Sequence, residues 1–201
     1  MAALYLDHAA TTPVRPQARE AMLPYLGAAF GNPSGTHRVS QLARNAIEEA
    51  RERAAEIVGA AHPSEIIFTG GGSEADNLAV KGAALAAGAR AGVVTTAIEH
   101  EAVLASARFV ESLGCPLAVV GVDAAGRVDT ATVAEAVDDR TAVVSVMFAN
   151  NETGAVQPVR QIAGEVKARN PTALVHTDAV QAFVSEPVTV ADLGVDMISL
   201  A

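Results

Sequence analysis

Four polar clusters stand out in this chain of 201 residues, each made of side chains that bind or move charge. The run Thr69-Gly70-Gly71-Gly72-Ser73-Glu74 has three glycines, which let a ligand come close to the backbone. If a helix starts there, its free N–H groups and positive dipole end favour an anion, typically phosphate. Without a ligand the same run reads as a flexible turn with Ser73 as N-cap. In Glu99-His100-Glu101 an imidazole can stack on a flat ring or move a proton near neutral pH, or it can simply cap a helix. Asn150-Asn151-Glu152-Thr153-Gly154 offers an amide donor at Asn151. In His176-Thr177-Asp178-Ala179-Val180-Gln181 an acid follows an apolar run, so Asp178 should be partly buried and in need of a cation or donors. A ligand's protonated ring nitrogen would serve, with Gln181 in reach of the same ligand. The plainer alternative is an Asp that caps the next helix.

These clusters need elements to hold them. Short β-branched runs predict strands at Glu65–Thr69, Val93–Ala97, Leu117–Val122, Thr141–Phe148, Ala173–Thr177 and Val195–Leu200. Alanine-rich stretches of helical period predict helices over Ser73–Ala87, Glu101–Leu113, Thr130–Asp138 and Val159–Arg169. Asp129 and Thr130 offer N-caps for the third helix, and Pro158 stands where the fourth would begin. Most of the strands are apolar throughout, as in a parallel sheet covered on both faces. The alternation is that of an α/β fold with right-handed crossovers. The first sixty residues differ. They predict a polar segment, a helix from Pro16 to about Leu26, a turn cluster at Gly31-Asn32-Pro33-Ser34-Gly35, and a long helix over Ser40–Val58.

Composition narrows the function. Half of the chain is apolar and 18% is charged, which suits a globular protein. A net charge of -9 speaks against nucleic acid and anionic lipid as partners. No apolar run approaches the roughly 18 residues of a membrane helix, and the early residues lack the basic character of a signal peptide. The single cysteine, Cys115, excludes an internal disulfide and reads as a packed, inert thiol. A cytoplasmic location is expected. With five Phe, two Tyr and no Trp, the core must come from aliphatic contacts.

Together, the clusters put an anion cradle, an imidazole, an amide and a buried acid at the ends of strands in one sheet, where open α/β folds bind ligands. The combination describes a site for a small, flat, phosphorylated ring with a ring nitrogen, and pyridoxal 5'-phosphate fits it. Gly70-x-Gly72-x-x-Ala75 also matches a loose dinucleotide pattern, with Glu99 as a late candidate for the ribose-binding acid.

The chain resembles the cysteine desulfurases, within the class V aminotransferases. The resemblance rests on Tyr5 to Pro13, Gly31-Asn32-Pro33-Ser34, Phe68 to Asn77, Glu99-His100, Asn150 to Gly154 and Asp178-Ala179-Val180-Gln181, collinear along essentially the whole chain. It implies a fold type I large domain of the pyridoxal-phosphate-dependent transferases, an α/β fold with a mostly parallel central sheet and flanking helices. It also implies roles. Gly72 and Ser73 hold the cofactor phosphate. His100 lies over the pyridine ring and takes part in proton movement. Asn151 stands beside the ring substituents, Asp178 pairs with the pyridinium nitrogen, and Gln181 meets the phenolic oxygen. His100 and Asp178 are the residues expected to be catalytic; no metal is expected.

The implied reaction takes sulfur from L-cysteine, leaving L-alanine and an enzyme persulfide, which sulfur-acceptor proteins receive for iron–sulfur cluster or thio-cofactor biosynthesis. A homodimer is implied for the full-length form. The implied Schiff-base lysine would follow the strand near Asp196–Leu200, and the implied catalytic cysteine lies further on. This chain ends at Ala201, its lysines are Lys81 and Lys167, and neither matches that position. The expectation is therefore an N-terminal arm with helices over residues 1–60, an incomplete large domain over 61–201, no C-terminal small domain, and no turnover by this stretch alone. A strand following the implied lysine would insert between Glu65–Thr69 and Val195–Leu200. A non-catalytic cofactor- or partner-binding protein, or a nicotinamide-binding domain, are the alternatives.

Overall fold

A computed structural model describes residues 4–88 and 91–201. Five strands form one parallel sheet: β1 Gly92–Thr96, β2 Leu117–Val120, β3 Thr141–Ser145, β4 Leu174–Asp178 and β5 Met197–Ser199, in the order β2-β1-β3-β4-β5. Seven α-helices are described: α1 Pro16–Met22, α2 Arg38–Val58, α3 Gly72–Ala87, α4 Glu101–Ser112, α5 Thr130–Glu135, α6 Val159–Arg169 and α7 Val190–Leu193. The chain divides into two units, Met1–Ile67 and Phe68–Ala201.

In the second unit, side chains alternate across the pleat. Val93 and Val143 are register partners and pack with Val80 and Ala84 of α3 and Val103, Ala107 and Val110 of α4. Val94 and Val144, one residue along, pack into the other layer with Val133, Val159, Ile162 and Val166 from α5 and α6. Both faces are thus covered, which is why the strands read as unbroken apolar runs. The face under α3 and α4 changes character along its length. Val93 and Val143 lie near the strand starts. Thr95, Ser145, His176, Asp178 and Ser199 follow toward the strand ends, all of them buried. Cys115 is partly buried against this layer.

In the first unit, α2 begins after His37, whose ring accepts the Ser40 N–H at 3.4 Å. It ends on Gly59, in the left-handed conformation (φ 68°) that glycine adopts without a Cβ clash. The Arg44 guanidinium donates to the carbonyls of Pro33 and Gly35, both at 2.9 Å, and so fastens the predicted turn cluster to the helix. The helix predicted from Pro16 stops at Met22. A 3-10 turn follows over Leu23–Leu26, because Pro24 has no N–H to continue the α ladder.

One predicted strand is not there. Pro63–Glu65 form a 3-10 turn, and Ile66–Thr69 run on outside the sheet. Two adjacent isoleucines favour extended backbone, but a strand exists only through a neighbour's ladder. Here the Ile66 carbonyl accepts from Arg51 instead. The expected insertion beside Glu65–Thr69 therefore has no strand to pair with in this structure.

Candidate active site

The glycine run opens α3. Gly71 is the N-cap, with φ 154°, and the helix starts at Gly72. Ser73 is consequently the second helical residue rather than the expected N-cap, and its hydroxyl makes no capping bond. The Gly70 N–H is taken by Glu74 Oε2 at 2.5 Å. The N–H groups of Gly71, Gly72 and Ser73 have no protein acceptor among the described residues. A Cβ on Gly72 would come within 3.2 Å of Val180 Cγ2, so glycine allows the start of α3 to close against the turn after β4.

His100 is the N-cap of α4. Its Nδ1 accepts the Ala102 N–H at 3.1 Å, so the capping alternative is correct. That bond also fixes the tautomer: Nδ1 is the acceptor, and Nε2 is left to carry a proton outward. Asn150 organises the neighbouring loop. Its Oδ1 accepts from the N–H groups of Glu152 and Thr153 and from the Thr153 hydroxyl, and its Nδ2 donates to the Ile98 carbonyl at 2.9 Å. This ties the loop after β3 to the loop before α4. Between them lies a cleft of about 480 Å³, lined by residues that include His100, Asn151 and Thr153. Asn151, half-buried, lines it without a hydrogen bond to the described protein.

Asp178 ends β4 and is buried. Its Oδ1 accepts the Val180 N–H at 3.0 Å, which starts the turn carrying the partly buried Gln181. No lysine or arginine pairs with Asp178 among the described residues. Burial pushes its carboxyl above the usual range; the Val180 bond and nearby His100 pull the other way. His100 follows β1 and Asp178 ends β4, and the approach of Val180 to Gly72 puts the start of α3 there too, so His100, Asp178, Gly72 and Ser73 lie at one end of the sheet, with Asn151 in the same cleft as His100. Gln181 joins them through Val180.

Three further buried groups stand at this end: Glu99, which the sequence offers only as a ribose-binding acid, and Asp76 and His176, to which it assigns no role. Glu99 Oε1 accepts the Thr96 hydroxyl at 2.6 Å and the Met147 N–H at 2.9 Å. Burial raises its carboxyl to about 8. An acid turned inward in this way does not present itself to a ribose, so the dinucleotide alternative loses its key residue. Asp76 is held on α3, raised to about 6 by burial and then by repulsion from Asp178. His176, fully buried and pushed down to about 4, is a neutral imidazole near pH 7. A signal for Asp76 was present: with Ala79, Val80 and Ala84 it makes up the buried stripe of α3, where a carboxylate is out of place.

The family model for class-V aminotransferases matches residues 4–201. The chain belongs to the class-V aminotransferases. Among its relatives, the cysteine desulfurase IscS of Dictyoglomus turgidum is 43% identical over 98% of this chain and 50% of its own length. The cysteine desulfurase IscS of Methanosarcina thermophila is 42% identical over 99% of this chain and 49% of its own. A solved structure of SspA in complex with cysteine superposes with a TM-score of 0.91 at 38% identity, covering 98% of this chain and 56% of that one. A NifS-like protein gives 0.91 at 37%, over 96% and 53%. The chain spans about half the length of the curated relatives it matches. Among the described residues, no helix is long and apolar enough to cross a membrane.

Proposed function

We propose that this stretch is the cofactor-binding part of a cysteine desulfurase that uses pyridoxal 5'-phosphate. The observation that carries the reading is Asp178: a buried carboxylate at a strand end, beside the imidazole of His100, with no lysine or arginine paired to it among the described residues. A protonated ring nitrogen supplies the missing positive charge. The unpaired N–H groups of Gly71, Gly72 and Ser73, with the Ser73 hydroxyl, suit the phosphate. His100 keeps Nδ1 as an acceptor on its own helix and offers the hydrogen on Nε2 to the substrate. Asn151 and Gln181 orient the ring substituents. When bound, pyridoxal 5'-phosphate supplies an electron sink for the substrate carbon. Asp178 sustains that sink by holding the ring nitrogen's proton.

The proposed substrate is L-cysteine, the ligand named for the solved SspA structure. The proposed products are L-alanine and a persulfide sulfur, passed to sulfur-acceptor proteins for iron–sulfur cluster or thio-cofactor synthesis. The groups that bind the cofactor covalently and receive the sulfur belong, in this proposal, to the other half of a full-length, cytoplasmic, homodimeric enzyme. Titrating the chain with pyridoxal 5'-phosphate and following the cofactor absorbance tests the binding. Saturable binding weakened by both Asp178→Ala and Ser73→Ala is the expected result. Binding that is absent, or that neither substitution affects, overturns the assignment.

A further inference from the structure

Behind Asp178 lies a run of polar side chains that ligand contact does not explain. Ser145 and His176 are register partners on β3 and β4, and Asp178 and Ser199 are register partners on β4 and β5. Residues 176 and 178 point to the same face of their strand, the face that α3 covers. His176 Nδ1 lies 2.8 Å from Ser145 Oγ, and its Nε2 lies 2.9 Å from Ser199 Oγ. Asp76 reaches this cluster from α3. Its Oδ1 is 3.8 Å from His176 Nε2, too long for a hydrogen bond, and has no hydrogen-bond partner. Ser199 stands near the Asp76 carboxyl and lowers it, but within hydrogen-bond distance its hydroxyl meets His176.

A neutral imidazole carries one ring hydrogen, so one of the two serine hydroxyls donates to His176 and the other accepts from it. The Asp76 carboxyl stands beside this cluster, 3.8 Å from Nε2. Five groups face Asp76 or its partner acid from the packed elements: Asp178 and His176 on β4, Ser199 on β5, His100 at the start of α4, and Glu99 beside it. Among the described residues no lysine or arginine joins them.

We propose that Asp76 is a positioning residue for Asp178: set against His176, two residues before Asp178 on the same strand face, it divides one negative charge with that acid. A proton on Asp76 leaves the charge on Asp178; a charge on Asp76 favours a proton on Asp178. The direction agrees with the electrostatics, since repulsion from Asp178 raises Asp76. Under the functional reading above, on which this part rests, Asp76 thereby sets how firmly Asp178 holds the proton of a ring nitrogen.

The test is a carbon-13 NMR titration of the carboxyl groups in a cofactor-free, full-length desulfurase carrying this stretch, for wild type and Asp76→Asn. In wild type, Asp76 and Asp178 should each titrate in two steps that mirror one another. In Asp76→Asn, which keeps the shape of the side chain, Asp178 should titrate in one step at a lower pH. A purely structural Asp76 would change the unfolding midpoint and leave the Asp178 curve as it was, and that result overturns the proposal. If Asp76→Asn does not fold, the wild-type curves decide: independent single steps at the two acids also overturn it. A parallel titration with nitrogen-15 pyridoxal 5'-phosphate reads the ring nitrogen. Failure of that cofactor to bind counts against the functional reading, while the ligand-free curves still decide the role of Asp76.

Discussion

Glu99 accepts the Met147 N–H at 2.9 Å, so a buried carboxyl ties the loop after β1 to the residues that follow β3. The same Oε1 accepts the Thr96 hydroxyl, while Oε2 is buried with no partner. Such a group is cheaper to bury neutral than charged.

This makes stability depend on pH in a defined direction. Burial raises the Glu99 carboxyl from 4.5 in the unfolded chain to about 8. Its contribution is complete below the unfolded value and is lost as pH rises through the folded one. Between pH 6.5 and 8 the unfolded acid is ionised while the folded acid still holds its proton. The loss over that window is about 2 kcal/mol. Denaturant unfolding at the two pH values should show it. Glu99→Gln, which keeps an acceptor for Thr96 and Met147, should flatten the dependence; an unchanged slope in the variant would reject this origin.

Asp178→Ala, in a full-length desulfurase carrying this stretch, is expected to lower turnover about a thousandfold or more, roughly 4 kcal/mol at about 1.4 kcal/mol per tenfold. The far-UV spectrum should be unchanged, since the carboxylate has one structural bond, to Val180. Wild-type turnover in this variant would sink the site assignment.

Gly72→Ala separates binding from folding. The new Cβ would sit 3.2 Å from Val180 Cγ2 and 3.5 Å from Ala201 Cβ, contacts that small movements relieve. Alanine also favours the helix, so stability should change by no more than about 1 kcal/mol. The affinity for pyridoxal 5'-phosphate should fall by about tenfold, which is about 1.4 kcal/mol, because the methyl group crowds the backbone donors. Equilibrium titration gives the affinity and thermal melting the stability. A stability loss that matches the affinity loss would mean that the glycine serves packing alone.

Apolar exposure predicts the behaviour of the isolated chain. Leu4, Leu6, Leu26 and Val184 are each more than three-quarters exposed, and Phe30 and Ile67 about two-thirds. The sheet also has two edge strands, β2 and β5. Exposed apolar surface and open edges recruit other chains. Purified chain is expected to self-associate at micromolar concentration and to unfold irreversibly. Light scattering that shows a monodisperse monomer, with a sharp reversible melt, would contradict this.

Helices α1 to α6 were legible in outline because their punctuation is local, while the four-residue α7 was not predicted. Pro158 precedes α6, the Asp129 carboxylate caps α5, and the glycines open α3. Strands β1 to β5 were legible as apolar runs, though their ladders are shorter than the runs. The segment 65–69 was misread because pairing is a property of a neighbour, and two isoleucines carry no information about one. The residues proposed to contact the ligand were legible from position, since they follow strand ends. Asp76 left one sign, an acid within the apolar stripe of α3; Glu99 and His176 left none, because their importance is burial. Burial of a histidine in a strand emerges only once α3 lies on β4 and β5.

The shift from valine to hydroxyl, imidazole and carboxyl along the sheet face under α3 has a practical consequence. Val93 and Val143 anchor the starts of β1 and β3, while Thr95 and Ser145 on those strands, with His176, Asp178 and Ser199 on β4 and β5, form the far end. A protein engineer can therefore randomise the loops beyond this polar end to seek new substrates, and leave the strands, with their valine end, untouched as the foundation of the library.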